Sequence, residues 1–143
     1  LDFVEAGCET VIFHAEVAHD LVALLTQIRT AGAAAGVALN PGTPLSVVEG
    51  SWEGIDLLVL MTVHPGYAGQ AYLPGVEGKI AEARHIIDSR GLATRIEVDG
   101  GIKPHTIGAA RAAGAEDFIA GSAILAHPQG KAEAVRELRA ALR

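Results

Sequence analysis

Cysteine and aromatic residues are scarce. The 143 residues hold one Cys, three Phe, two Tyr and one Trp. A single thiol, Cys8, closes no internal disulfide, so an apolar core must hold the chain, and a reducing, cytoplasmic setting is expected. No apolar run reaches the length of a membrane span, and no signal-peptide pattern is read. Positive charge is also short: 11 Lys and Arg against 17 Asp and Glu leave a formal net charge of −6. That balance argues against nucleic acid or an anionic membrane as partner, but it leaves room for a local phosphate pocket. A charged fraction of 20% beside 50% hydrophobic residues excludes a disordered chain. The length allows one core and is too short for two ordinary domains, so residues 1–143 are read as a single domain.

Small residues are plentiful instead, with 17 glycines and many alanines. They suit helices packed closely on strands. Five apolar runs of strand length stand out: "ETVIFH" (9–14), "GVALN" (36–40), "DLLVLMTV" (56–63), "RIEVD" (95–99) and "DFIAG" (117–121). Between them the spacing turns helical. "DLVALLTQIRTAG" puts Leu21, Leu24, Leu25 and Ile28 on one face, with Asp20 as N-cap and Gly32 near the stop. "LSVVEGSW" gives one or two turns at most. "GVEGKIAEARHIIDSRG" aligns Val76, Ile80, Ala83 and Ile87. "TIGAARAAG" is a small-residue helix, and the closing helix aligns Ala134, Leu138 and Leu142. The opening "LDFVEAG" reads as the end of a helix stopping at Gly7, so an N-terminal portion is expected to be missing.

Strand and helix alternate five times, which predicts parallel strands with right-handed crossovers. "AGCETVIFHAE" and "AGAEDFIAGSA" repeat one plan: helix end, glycine, acidic residue, strand, polar tip. The repetition favours a βα-barrel over an open doubly wound sheet.

In α/β folds, function gathers at the C-terminal ends of the strands. All five ends here are polar or glycine-rich: "HAE", "NPG", "HPGYAGQ", "DGGIKPHT" and "GSA". In "VDGGI", Asp99 closes an apolar strand and Gly100 and Gly101 follow. Glycines let a backbone approach a ligand closely and free N–H groups for an anion. Gly121 and Ser122 stand at the next tip. Two such tips in succession match the phosphate site that many βα-barrels carry after their last two strands. The alternative, that the glycines only make tight turns, is harder to hold for several tips at once. Asp99 lies too far from the next helix, expected near Pro104 to Thr106, to cap it. It is a candidate general base or metal ligand. His14 and Glu16 form an "HxE" that could hold a metal, although a hydrogen-bonded pair at the strand tip is the favoured reading. His19, His64, His85, His105 and His127 are read as solvated, Cys8 as a packed small residue, and Trp52 and Phe118 as core. Met61 either fills the core or, if it points to the barrel axis, lines the site.

Taken together, "LVLMTVHPGYAGQAYLPGVEGKI", "IEVDGGIKPHTIGAARAAGAEDFIAGSAI", "FHAE" and "GVALNPGTPL" closely resemble the ribulose-phosphate 3-epimerase family. The resemblance covers essentially the whole chain. It implies a (β/α)8 TIM-type barrel, of which this chain carries about five units, matching strands four to eight. It implies interconversion of ribulose 5-phosphate and xylulose 5-phosphate by moving a proton at carbon 3, with a divalent metal, zinc or iron before manganese or cobalt, stabilising the ene-diolate. By the same resemblance, Gly66, Tyr67, Ala68 and Gly69 form a loop closing over the substrate, and Gly100, Gly101, Gly121 and Ser122 cradle its phosphate. Met61 lies near the reacting carbons, and Asp99 is both acid/base group and metal ligand.

Two departures from the family's pattern are visible. His64 stands where Glu or Asn is common, and Ala68 replaces a usual glycine, which restricts the backbone there. A larger one is the absence of the family's first three strands, which supply the other metal ligands and the second acid/base aspartate. The readings left open are an incomplete epimerase, homo-oligomeric when full length, an allulose-6-phosphate 3-epimerase, and a half-barrel that binds a sugar phosphate without catalysis.

Overall fold

The computed structural model describes residues 1–143. A short helix α1 (Asp2–Glu5) leads into β1 (Thr10–His14), α2 (Leu21–Thr30), β2 (Ala34–Leu39), β3 (Leu57–Met61), α3 (Val76–Arg90), β4 (Arg95–Asp99), α4 (Pro104–Ala112), β5 (Asp117–Ile119), α5 (Ser122–Leu125) and α6 (Lys131–Ala141). Between β2 and β3 the expected one or two turns are two 3-10 turns, Leu45–Val48 and Trp52–Gly54. All five strands are parallel, and their spatial order is their chain order, β1-β2-β3-β4-β5. A doubly wound sheet would reverse direction at a switch point. This one never does, so crossovers of one hand put the helices on one side. The architecture is that of a partial (β/α) barrel, as the repeated unit suggested.

The strand period of two then divides the residues. Val37 and Leu39, Leu58 and Leu60, and Ile96 and Val98 face the helices and are fully buried or nearly so. There they meet Leu25 and Ile28 of α2 and Ile80, Ala83 and Ile87 of α3 in one core of 23 buried residues. Removing each large apolar side chain from water is worth about 1.5–3 kcal/mol. The helix faces are those their spacing predicted. Asp20 caps α2 by accepting the Ala23 N–H at 2.9 Å, and Gly91 ends α3 in the left-handed conformation (φ 63°). The opposite face carries Ile12 and His14, Ala38, Val59 and Met61, Glu97 and Asp99, and Ile119. Its apolar cluster is small: Ala38, Val59, Met61 and Val63.

Some boundaries moved. β2 starts two residues earlier than its apolar run, and β5 stops at Ile119. β3 ends at Met61, although Thr62 still donates its N–H to the Asp99 carbonyl at 2.8 Å. Cys8 is exposed, contrary to expectation, because it sits in the turn between α1 and β1. No helix is long and apolar enough to cross a membrane.

Trp52 is fully buried beneath the 3-10 turns and donates its indole N–H to Glu49 at 3.3 Å. Trp52→Ala is therefore expected to cost about 3–5 kcal/mol in a urea unfolding experiment, while Val47→Ala, on the exposed side of the same segment, changes stability by less than about 0.5 kcal/mol. Equal effects would contradict this placement of the core.

Candidate active site

The strand tips enclose one cleft of about 500 Å³. Every residue singled out from the sequence lines it: Met61, Gly66, Tyr67, Ala68, Gly69, Asp99, Gly100, Gly101, Gly121 and Ser122. Residues from β1, β3, β4 and the β5 tip share this space, which requires the sheet to curl towards its uncovered face. A larger groove of about 610 Å³ between α2 and the 3-10 turns holds none of them. It is a surface channel around Arg29 and Glu53, far from the strand ends that carry the glycines.

β4 places Asp99. Ile96 and Val98 point into the core, so Glu97 and Asp99 must point the other way, with Asp99 last in the strand and in register with Met61 and Ile119. It does not cap the next helix. Thr106 performs that task, its Oγ1 accepting the Lys103 N–H at 2.9 Å. Burial holds the Asp99 carboxyl above its ordinary range, and the nearby His14 opposes the shift. Glu97, one pleat below, is also pushed up, by burial first and then by Asp117 and Asp99.

The glycines after β4 take conformations that other residues rarely adopt. Gly100 and Gly101 have φ of 122° and 64°. A Cβ at Gly101 would lie 2.3 Å from the Tyr72 backbone nitrogen, and one at Gly100 would lie 2.4 Å from Val63 Cγ2. These two tips are thus packed directly against the segment leaving β3. The N–H groups of Gly66, Gly69, Gly100, Gly101 and Gly121 donate to no backbone carbonyl, which leaves them available to an anion.

The loop after β3 is tied by Gln70, whose Nε2 donates to the carbonyls of His64 (2.5 Å) and Tyr67 (3.0 Å). Tyr67 is 75% exposed at its tip. Ala68 keeps a negative φ, since no residue other than glycine has a positive one. The alanine therefore strains nothing in this conformation. His64 is exposed and stands outside the cleft lining. Tyr72, on the far side of the loop, has its phenol pushed up to about 12 by burial and by Glu77.

Residues not singled out as site residues also line the cleft, chiefly His14, Val63 and Gln70. From the sequence His14 reads as half of an HxE pair, hydrogen-bonded in preference to metal-holding. Its Nδ1 lies 3.3 Å from Glu16 Oε2, the hydrogen-bonded arrangement favoured from the sequence. Its position on the same strand face as Asp99 follows from counting pleats, but that it shares a cleft with Asp99 depends on the curl of the sheet.

The metal fares differently. A catalytic divalent ion takes about three protein ligands. The chain has no group of three or more His, Cys, Asp or Glu side chains that could hold one. Asp99 and His14 are the cleft's only candidates. The residues present do not fit a complete zinc or iron site, nor one for manganese or cobalt.

Comparison with known proteins gives the family. The profile of the ribulose-phosphate 3 epimerase family matches residues 1–125. The chain is 40% identical over 141 residues to ribulose-phosphate 3-epimerase of Escherichia coli (strain K12), covering 99% of this chain and 62% of that protein. It is 41% identical over 136 residues to the enzyme of the same name from Mycobacterium leprae (strain TN), covering 94% and 61%. The chain thus spans about three-fifths of the length of these curated relatives. Among solved structures, a 3-hexulose-6-phosphate synthase aligns with a TM-score of 0.67 at 24% identity, over 98% of this chain and 65% of that one. A thiamine phosphate pyrophosphorylase from Pyrococcus furiosus aligns with a TM-score of 0.65 at 13% identity, over 98% and 62%. At those identities the two structures speak for the fold alone.

Two substitutions separate packing from binding. Gly101→Ala must meet the Tyr72 backbone at a left-handed φ and is expected to cost more than about 2 kcal/mol, read as a fall in melting temperature. Gly121→Ala has open space and an ordinary φ, and should melt with the parent. Asp99→Asn should melt at or above the parent at pH 7. A carboxyl whose pKa is raised by folding opposes folding once ionised, so removing its charge relieves that cost. A clear fall for Asp99→Asn would contradict this.

Proposed function

Because the chain belongs to the ribulose-phosphate 3-epimerase family, we propose that its cleft binds ribulose 5-phosphate and xylulose 5-phosphate and supplies one of the two acid/base groups that interconvert them. The observation that carries the proposal is the shared cleft. A carboxylate without a protein partner stands beside free backbone N–H groups at consecutive strand tips. The phosphate takes the N–H groups of Gly100, Gly101 and Gly121 and the Ser122 hydroxyl. The Gly66–Gly69 loop closes over that end. Met61 and Val63 form an apolar wall that keeps water from the reacting carbon.

Asp99 then removes the proton from carbon 3, and the electron pair moves towards the neighbouring carbonyl to give an ene-diolate. The burial that raises its pKa makes Asp99 a better base than an exposed carboxylate. Epimerisation also needs an acid on the opposite face of the same carbon. No second carboxylate lines the cleft, so this chain is proposed to hold the phosphate end and one face of the reaction. Members of the family are in general metal-dependent. Here Asp99 would be one ligand to a divalent ion, and no step of the proposal runs through it. A cytoplasmic, homo-oligomeric enzyme is part of the same proposal.

The 143 residues alone are expected to turn over no ribulose 5-phosphate, and robust turnover would contradict the one-sided site. In the whole protein, Asp99→Asn should abolish exchange of the carbon-3 proton with solvent while substrate still binds. Ser122→Ala should chiefly raise KM, by the loss of one hydrogen bond to a charged group, about 1.5–3 kcal/mol. Exchange near the parental rate in Asp99→Asn would overturn the assignment of Asp99.

A further inference from the structure

The His14 imidazole is the one basic side chain lining the cleft, which contains no Lys or Arg. A built network holds it from behind. Glu16 Oε1 accepts the Asn40 N–H at 2.8 Å and the Thr43 hydroxyl at 2.5 Å. Lys79, reaching across from α3, donates to the carbonyls of Asn40 (2.8 Å) and Thr43 (2.5 Å) and fixes the loop that presents those donors. Three elements are thus joined so that Glu16 Oε2 faces His14 Nδ1 at 3.3 Å.

These contacts favour one tautomer of the neutral histidine. Glu16 Oε1 is met by two donors, the pattern of a carboxylate, which can only accept hydrogen bonds. His14 Nδ1 must be the donor. In the neutral imidazole that leaves Nε2 without a proton, and no group of the protein bonds it.

We propose that His14 Nε2 accepts a hydrogen bond from a hydroxyl of the bound sugar, at the end away from the phosphate, and that Glu16 is the residue that positions it for this. The inference rests on the sugar-phosphate reading of the cleft and adds a specificity contact to it. The geometry favours the end away from the phosphate because His14 is on β1, while the glycine tips follow β4 and β5 on the other side of the curled sheet. An acceptor suits a hydroxyl and repels the phosphate oxygens, so it also sets the direction in which the substrate lies.

Glu16→Gln provides a test that simple destabilisation would not mimic. The amide keeps an oxygen for Asn40 and Thr43 but turns an NH2 towards Nδ1, which forces the proton onto Nε2. Nitrogen-15 NMR of labelled histidine in the whole protein should show His14 as the Nδ1–H tautomer, and as the Nε2–H tautomer in Glu16→Gln. Ribulose 5-phosphate should bind roughly five- to tenfold more weakly to Glu16→Gln and to His14→Phe, the loss of about one hydrogen bond. His14→Gln, which carries an amide oxygen near the Nε2 position, should recover most of the loss. Inorganic phosphate should bind the parent and all three variants equally, because its donors lie at the other tips. An Nε2–H tautomer in the parent, or unchanged ribulose 5-phosphate affinity in His14→Phe, overturns the inference and leaves the sugar-phosphate reading standing. If the parent binds neither ribulose 5-phosphate nor inorganic phosphate, both fall together.

Discussion

The hand of the crossovers governs this structure. Each parallel strand is joined to its immediate neighbour and the strand order never reverses, so crossovers of the usual right hand all fall on one face. Every major helix therefore lies on the same side, and the apolar residues at alternate strand positions are all used there. The residues between them are left for another purpose. On β4 this separates Ile96 and Val98, fully buried under the helices, from Glu97 and Asp99 on the other face. A carboxylate is tolerated on that face because it opens into a cleft and is only part-buried.

The same constraint brings distant tips together. Met61, the loop after β3, Asp99 and the glycines after β4 and β5 are spread over 62 residues of chain, from Met61 to Ser122. They share one cleft because each sits at the same end of a parallel strand. Chemistry at such a site is set by which donors the tips leave unpaired. Here those are backbone N–H groups and one hydroxyl at the glycine-bearing tips, with a carboxylate and an imidazole beyond.

The helix faces and strand cores were legible because each carries a strong period: Ile80, Ala83 and Ile87 on α3, Val37 and Leu39 on β2. The shared cleft was legible because glycines directly after apolar strands, at one tip after another, exceed what tight turns alone require. Strand ends were less so, since β5 stops at Ile119 where the apolar run continues to Gly121. Cys8 was misjudged because a small apolar residue beside a strand gives no sign of the turn that exposes it. The surroundings of His14 were hidden for another reason. Its partner Glu16 is held by Asn40 and Thr43, and these in turn by Lys79, residues 26 to 65 positions from His14 in sequence, and only the folded sheet brings them together. The metal expected from family resemblance has at most two candidate ligands in these residues.

That this cleft takes a sugar phosphate by its phosphate end is the claim on which the functional account rests. Hydrogen–deuterium exchange, followed by mass spectrometry with and without ribulose 5-phosphate, tests it most directly. The account predicts slowed exchange confined to the peptides carrying Gly100 and Gly101 and Gly121 and Ser122, whose free N–H groups the phosphate would occupy, and to the Gly66–Gly69 loop that closes over it. Unchanged exchange in those three segments at saturating ligand, or protection centred on the groove around Arg29 and Glu53, would contradict it.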